Sequence, residues 1–253
     1  MPQSGRRNVN TRARRWCTRD RDRLRNALVT GASTGIGLAV ATRLASDGLT
    51  VVGCGRRECP LVPGNFNYVS VDLTTPEGPA ALAASVTEPL DLVVLAAGVY
   101  GPGSAGYNPG SADQDLGTLT AKEALEVLAI NAVAPLMTIQ ALVEHMRRAD
   151  SLPVVAVLGS QVGSLGQRTR HGDLYYAPSK AAVNMVVRSL AALRPLPAAF
   201  VAIDPGWVRT QAGGAHAPDA PDNVADDLVD LFMALTEADN GRFIDRSGRP
   251  IPW

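Results

Sequence analysis

One segment, ALVTGASTGIG, limits what this chain can fold into more than any other. An apolar, strand-like run from Ala27 to Thr30 enters a turn carrying Gly31, Gly35 and Gly37, and a helix-like stretch, LAVATRLASDG, follows at once. Glycines at such a turn let the backbone approach a ligand closely. The unpaired amides and the dipole of the helix start then attract an anion. With the correct elements on both sides, the pattern points to a dinucleotide pyrophosphate site inside a βαβ unit rather than to an ordinary turn.

Apolar runs and helical patterns alternate through the rest of the chain. Strands are expected near 26–30, 50–54, 67–71, 91–96, 153–159, 198–204 and 242–245, and helices near 36–47, 76–87, 120–148, 177–194 and 222–235. The unbroken runs LVVLAA and VVAVL suit strands covered on both faces, as in a parallel sheet. The regular alternation argues an α/β fold, a single-domain Rossmann-type doubly wound parallel sheet of about seven strands flanked by helices. Residues 56–66, RRECPLVPGNF, hold two prolines and no helical period, so the crossover there should lack a full helix. Thr120 and Glu123 form a capping-box pattern at the start of the long helix. Its apolar positions could serve a subunit interface as well as the core, and a homo-oligomer (dimer or tetramer) is expected.

The 253 residues, 46% hydrophobic, are ample for one large domain with a buried core. The formal net charge is zero but unevenly spread: residues 1–25 hold nine arginines and two aspartates, a net +7, leaving −7 for the remainder. That first stretch has no apolar periodicity and reads as a basic, disordered extension before a dinucleotide-binding domain at 26–253. A nucleic-acid-binding arm is the alternative for it, but no nucleic-acid partner is expected. No run approaches the ~20 apolar residues that span a bilayer, and no secretory leader is evident, so no membrane partner is expected. Three cysteines, Cys17, Cys54 and Cys59, lack metal-ligand spacing and fit a reducing, cytoplasmic setting. His145, His171 and His216 are scattered, which suggests neither a metal site nor a histidine-based triad.

Farther along, DLYYAPSKAAVNMVV places Tyr176 and Lys180 four residues apart. On a helix these positions share a face one turn apart. A free phenol ionises near pH ~10. A neighbouring ammonium should lower that value and make the pair a general acid/base. Pro178 requires the helix to begin near Tyr176, since proline is tolerated only in the first turn. Tyr175 has the wrong phase to stack over Lys180.

With these residues in place, the chain over 26–253 resembles the short-chain dehydrogenase/reductases. TGASTGIG is similar to that family's cofactor loop, Asp72 to its adenine-contacting acid, and LAAG to its Asn-Asn-Ala-Gly, with Leu95 and Ala96 replacing both asparagines. Asn131 in INAVAPL matches the asparagine that kinks the long helix and holds a water near the lysine. Ser160 in LGSQVG matches the substrate-binding serine, with Ser164 the competing candidate. The sixteen residues from Ser160 to Tyr176, the tail GRFIDRSGRPIPW and the stretch PGWVRTQAGG resemble a C-factor-like and sniffer-like branch of carbonyl reductases. The resemblance implies a catalytic set of Asn131, Ser160, Tyr176 and Lys180. It implies cofactor contacts from Gly31, Ser33, Thr34, Gly35, Ile36, Gly37, Arg56, Asp72, Leu73, Ala97, Gly98, Tyr176, Lys180, Pro205, Gly206, Val208 and Thr210.

Cofactor choice turns on VVGCGRR. Where an acid would hold a ribose 2′-hydroxyl, Gly55 stands instead, followed by Arg56 and Arg57. A guanidinium suits a 2′-phosphate, so NADP(H) is expected over NAD(H). The expected partner is a small-molecule carbonyl or alcohol. Loops at 99–118 and 211–222, with few charges, favour a small or apolar one. The alternative is a dinucleotide-binding regulatory protein with little turnover.

Overall fold

The computed structural model describes residues 24–104, 106–108, 114–195 and 197–253, so the expectation for the basic N-terminal stretch lies almost wholly outside the described residues. The seven strands are β1 (Asn26–Thr30), β2 (Thr50–Gly55), β3 (Phe66–Ser70), β4 (Leu92–Leu95), β5 (Val154–Leu158), β6 (Ala199–Asp204) and β7 (Phe243–Asp245). They form one sheet in the order β3-β2-β1-β4-β5-β6-β7, and every pairing is parallel. All positions of β4, β5 and β6 are buried, which is why their sequences read as unbroken apolar runs.

Helices α1 (Gly35–Ser46) and α6 (Pro221–Ala234) cover one face of the sheet, where Val40, Leu44, Leu228 and Phe232 share a core with Val29 and Val94. On the other face lie α2 (Gly78–Ala84), α4 (Ala134–Arg147) and α5 (Tyr176–Ala191). There Leu82, Ile139, Leu142, Val183 and Val187 pack on Leu28, Val93 and Val155. Burying a side chain such as Leu142 stabilises the fold by roughly 1.5–3 kcal/mol. Chain direction around the sheet reverses between β1 and β4, which opens a crevice at their C-terminal ends.

Two elements depart from expectation, one of them in two ways. The long helix is not uniform: α3 (Ala121–Leu128) and α4 are joined by one π turn, Ala129–Val133, with Asn131 at its centre. By length and composition the continuous helix Ala121–Arg147 passes as a membrane span, contrary to the expectation that no segment would, although Ile139, Leu142 and Met146 put it into the core. Finally, α2 starts two residues late, because Thr75 turns the chain and its Oγ1 accepts from Gly78 N at 3.1 Å. A Cβ at Gly78 would sit 1.9 Å from the Asp72 carbonyl oxygen, so only glycine fits. The β2–β3 crossover carries no helix, in keeping with its prolines.

The C-terminus folds back over the sheet. Trp253 packs against Phe243 with ring centroids 5.4 Å apart, the Arg188 guanidinium carbon lies over the Trp253 ring 5.4 Å from its centroid, and Gly166 N donates to the Trp253 carbonyl at 2.9 Å. Ser164 Oγ donates to the Pro252 carbonyl at 2.6 Å, so Ser164 anchors this tail.

Candidate active site

The glycine turn leaves β1 with Gly31 at φ +69°, and a Cβ there would lie 2.9 Å from Ala97 Cα. Gly37 lets α1 approach the same strand, since its Cβ would meet the Gly31 carbonyl oxygen at 2.4 Å. Thr34, at the N-cap of α1, makes no side-chain cap, and no acidic residue occupies the first turn. That helix start therefore offers uncapped amides and its positive dipole end to an anion, which fits the pyrophosphate reading.

From this turn a cleft runs along the strand ends. It is bordered by Gly31, Ser33, Thr34, Gly35, Ile36, Gly37, Arg56, Asp72, Leu73, Ala97, Gly98, Pro205 and Thr210, with Tyr176 and Lys180 at its inner end. Arg57, Thr74, Tyr100 and Gln211 line it as well. Two expected contacts do not reach it. Val208 is 3% exposed and belongs to the core. Gly206 turns away behind Pro205, toward a second cleft where a Cβ would sit 3.1 Å from Arg246 Nη1.

At the outer end, Asp72 Oδ1 accepts from Thr74 N and Oγ1 at 2.9 and 2.7 Å, which holds its carboxyl below the usual range despite partial burial. Arg56 Nη1 stands 3.9 Å from Asp72 Oδ2, and Arg57 Nη2 donates to Gln211 Oε1.

At the inner end, Lys180 Nζ donates to the Leu158 carbonyl at 2.8 Å and lies 5.6 Å from the Tyr176 ring centroid. Burial draws the ammonium down to about 8, against the opposing pull of the Asp204 carboxylate. Tyr176 is pushed up from its ordinary value: burial leads, the charges of Asp204 and Asp173 add to it, and a hydrogen bond with Ser160 works the other way. This corrects the expectation that Lys180 lowers the phenol. Desolvation dominates the shift, and one of the three Lys180 N–H groups is given to a backbone carbonyl. A phenol held protonated at neutral pH is suited to giving a proton.

Ser160 Oγ also accepts from Val162 N at 3.2 Å, so it caps the turn Gln161–Gly163 while reaching Tyr176. Asn131 is 1% exposed, and its carboxamide is committed within the protein. Oδ1 accepts from Val99 N at 2.8 Å, and Nδ2 donates to the Val99 carbonyl at 2.8 Å and to Ser179 Oγ at 2.9 Å. Both amide hydrogens are used, so this side chain clamps the π turn to the segment after β4. Neither Asn131 nor Ser160 borders the cleft. Tyr175, the competing tyrosine, is buried: its hydroxyl accepts from Thr120 N at 2.7 Å and donates to Glu123 Oε2 at 2.9 Å. It completes the α3 cap.

Beside Tyr176 stands an aromatic wall. Tyr100 lies 5.2 Å from Tyr176 and 5.2 Å from Tyr107, and Tyr107 lies 5.6 Å from Trp207, centroid to centroid. Tyr107 N donates to the Ala212 carbonyl at 2.8 Å, which joins the two loops expected to face substrate. Four residues of this region escaped the sequence reading: Tyr100, Gln114, Asp173 and Asp204. Of these only Asp204 carried a signal, as the one acid closing the apolar strand AFVAID. Among the described residues, no group of three or more His, Cys, Asp or Glu side chains could hold a metal ion.

Comparison with known proteins gives the same direction. The family model described as short chain dehydrogenase matches residues 25–220. C-signal of Myxococcus xanthus is 36% identical over 176 residues, covering 68% of this chain and 99% of its own. The 1-hydroxy-2-glutathionyl-2-methyl-3-butene dehydrogenase of Rhodococcus sp. (strain AD45) is 31% identical over 236 residues, covering 89% and 98%. Among solved structures, the NADPH-bound carbonyl reductase from chicken fatty liver superposes with TM-score 0.80 at 27% identity, covering 91% of this chain and 95% of that one.

Proposed function

This chain belongs to the short-chain dehydrogenase family, and we propose that it is an NADP(H)-dependent carbonyl reductase or alcohol dehydrogenase in which Tyr176 is the general acid/base. The observation that carries the reading is a half-buried phenol beside the Lys180 ammonium, 5.6 Å from its ring centroid, at the inner end of the cleft that starts at the glycine turn. The amides of that turn and of the α1 start would hold the pyrophosphate, and Arg56 and Arg57 a 2′-phosphate. Asp72 would meet the adenine, and Lys180 the nicotinamide ribose. When bound, the nicotinamide supplies or accepts the hydride.

Tyr176 Oη gives its proton to the carbonyl oxygen as that oxygen becomes an alkoxide. Ser160, off the cleft wall itself, supports that transfer through its contact with the phenol. Lys180, protonated below about 8, keeps a positive charge beside the phenol as it becomes phenolate. Tyr100, Tyr107 and Trp207 supply an aromatic wall of edge-on rings, which favours a small or apolar carbonyl compound. The carbonyl reductase among the neighbours, solved with NADPH bound, supports this assignment. It is tested by NADPH consumption across a panel of aldehydes, ketones and quinones; no turnover with any of them refutes it.

A second reading rests on the C-signal relative: a dinucleotide-binding regulatory protein with little turnover. Such a protein would keep its effect without Tyr176. We further propose self-association through α3, the π turn and α5, which leave Leu125, Val133 and Met185 at 66%, 52% and 63% exposure.

A further inference from the structure

Helix α5 carries Tyr176 as its first residue, and the leading amides of any helix have no partner inside it. The usual remedy is a Ser, Thr, Asp or Asn at the N-cap. Here the N-cap is Tyr175, whose hydroxyl is engaged at Thr120 and Glu123 and does not cap α5. The cap comes from elsewhere. Gln114 Oε1 accepts from Tyr175 N and Tyr176 N, both at 3.0 Å, across 61 and 62 residues of sequence. Its Nε2 donates to the Tyr100 carbonyl at 3.0 Å, and its own carbonyl accepts from Leu174 N at 3.3 Å. The residue is 5% exposed. Two N–H donors on one side and a carbonyl on the other allow only one orientation of the carboxamide.

The same segment grips the Tyr176 ring. Tyr100, whose carbonyl Gln114 holds, packs against it with centroids 5.2 Å apart and planes tilted by 44°. Tyr100 Oη donates to Asp173 Oδ1 at 2.7 Å, while Arg168 and Arg170 pair with Asp173 Oδ2 at 3.3 and 3.2 Å. The Asp173 carbonyl in turn accepts from Ala177 N at 2.8 Å. Tyr176 is thus fixed by its backbone through Gln114 and by its ring through Tyr100, and both belong to the loop after β4 that faces the cleft.

We propose that Gln114 is a positioning residue for the reaction: it caps the Tyr176 helix from the substrate loop and so sets the reach of the phenol. This rests on Tyr176 being the general acid. Glutamine suits the place for a physical reason. A glutamate would still accept both amides but would set an oxygen against the Tyr100 carbonyl. It would also add a negative charge to those of Asp173 and Asp204 that already face the phenol, opposite Lys180.

The test is steady-state carbonyl reduction, with NADPH and the best substrate of the panel, by wild type, Gln114→Ala, Gln114→Glu and Tyr176→Phe, each checked for folding by circular dichroism. Gln114→Ala should lose on the order of 100-fold in kcat, the scale of an ångström of misplacement, with the KM for NADPH within about twofold. Gln114→Glu should keep kcat within about tenfold, because the cap survives. In the alcohol-oxidising direction, its pH–rate limb should move to higher pH. A folded Gln114→Ala with wild-type kcat overturns the proposal. If Gln114→Ala does not fold, an unshifted pH limb in Gln114→Glu overturns it instead. Wild-type turnover by Tyr176→Phe would instead refute the reading of Tyr176, a separate failure.

Discussion

Replacing Arg56 by alanine should change which nicotinamide cofactor this protein prefers, and the size of the change follows from what the guanidinium does now. Among the described residues its single close partner of opposite charge is Asp72, 3.9 Å away, with the two side chains 54% and 37% exposed. An exposed pair of this kind contributes about 0.2–1 kcal/mol, so the guanidinium is nearly free to turn to a ligand. A charge-assisted hydrogen bond to a phosphate contributes roughly 1.5–3 kcal/mol. Subtracting the lost pair leaves about 0.5–2.8 kcal/mol, or roughly 2- to 100-fold at 1.4 kcal/mol per decade. KM values for NADPH and NADH should therefore be measured side by side. The NADPH value should rise by that factor, with the NADH value within about twofold. An equal rise in both, or no change in their ratio, would refute the reasoning, as would a wild-type protein that prefers NADH.

Three further outcomes are expected. Lys180 is protonated below about 8 and loses its proton above it, because burial lowers its pKa. Reductive kcat should therefore be flat at neutral pH and fall as pH rises through that value; a profile unbroken to pH ~10 contradicts the role given to the lysine. In Gly37→Ala the new Cβ meets backbone at 2.4 Å and cannot rotate away. Overpacking of roughly 1–3 kcal/mol at about 2–4 °C per kcal/mol should lower Tm by roughly 2–12 °C, read by thermal melting, together with weaker NADPH binding. An unchanged melt refutes the close approach. Light scattering after size exclusion should find a multiple of 26.5 kDa, and Met185→Glu should reduce it; a wild-type monomer at micromolar concentration disposes of the proposed interface.

Much of the sheet was legible because a strand buried on both faces has few ways to be written. LVVL, VVAVL and AFVAID announce themselves as apolar runs. The glycine turn was legible for a similar reason: Gly31 and Gly37 meet backbone that any side chain would strike. The π turn at 129–133 was not, since it depends on Asn131 gripping Val99, a contact across 32 residues. Gln114, Tyr100 and Asp173 sit in segments without periodicity, where only the folded chain shows who meets whom. The sign of the Tyr176 shift was misjudged because burial cannot be read from an i,i+4 spacing. Gly206 and Val208 lie off the cleft lining because the chain turns at Pro205, so consecutive residues face different sides.

The most direct test of the central claim is Tyr176→Phe in single-turnover carbonyl reduction, paired with NADPH titration by fluorescence. General acid catalysis contributes about 10²- to 10⁴-fold, so the reduction rate should fall by that order while the NADPH dissociation constant stays within about twofold. A Tyr176→Phe protein that reduces carbonyls at the wild-type rate would contradict the assignment of Tyr176 as proton donor.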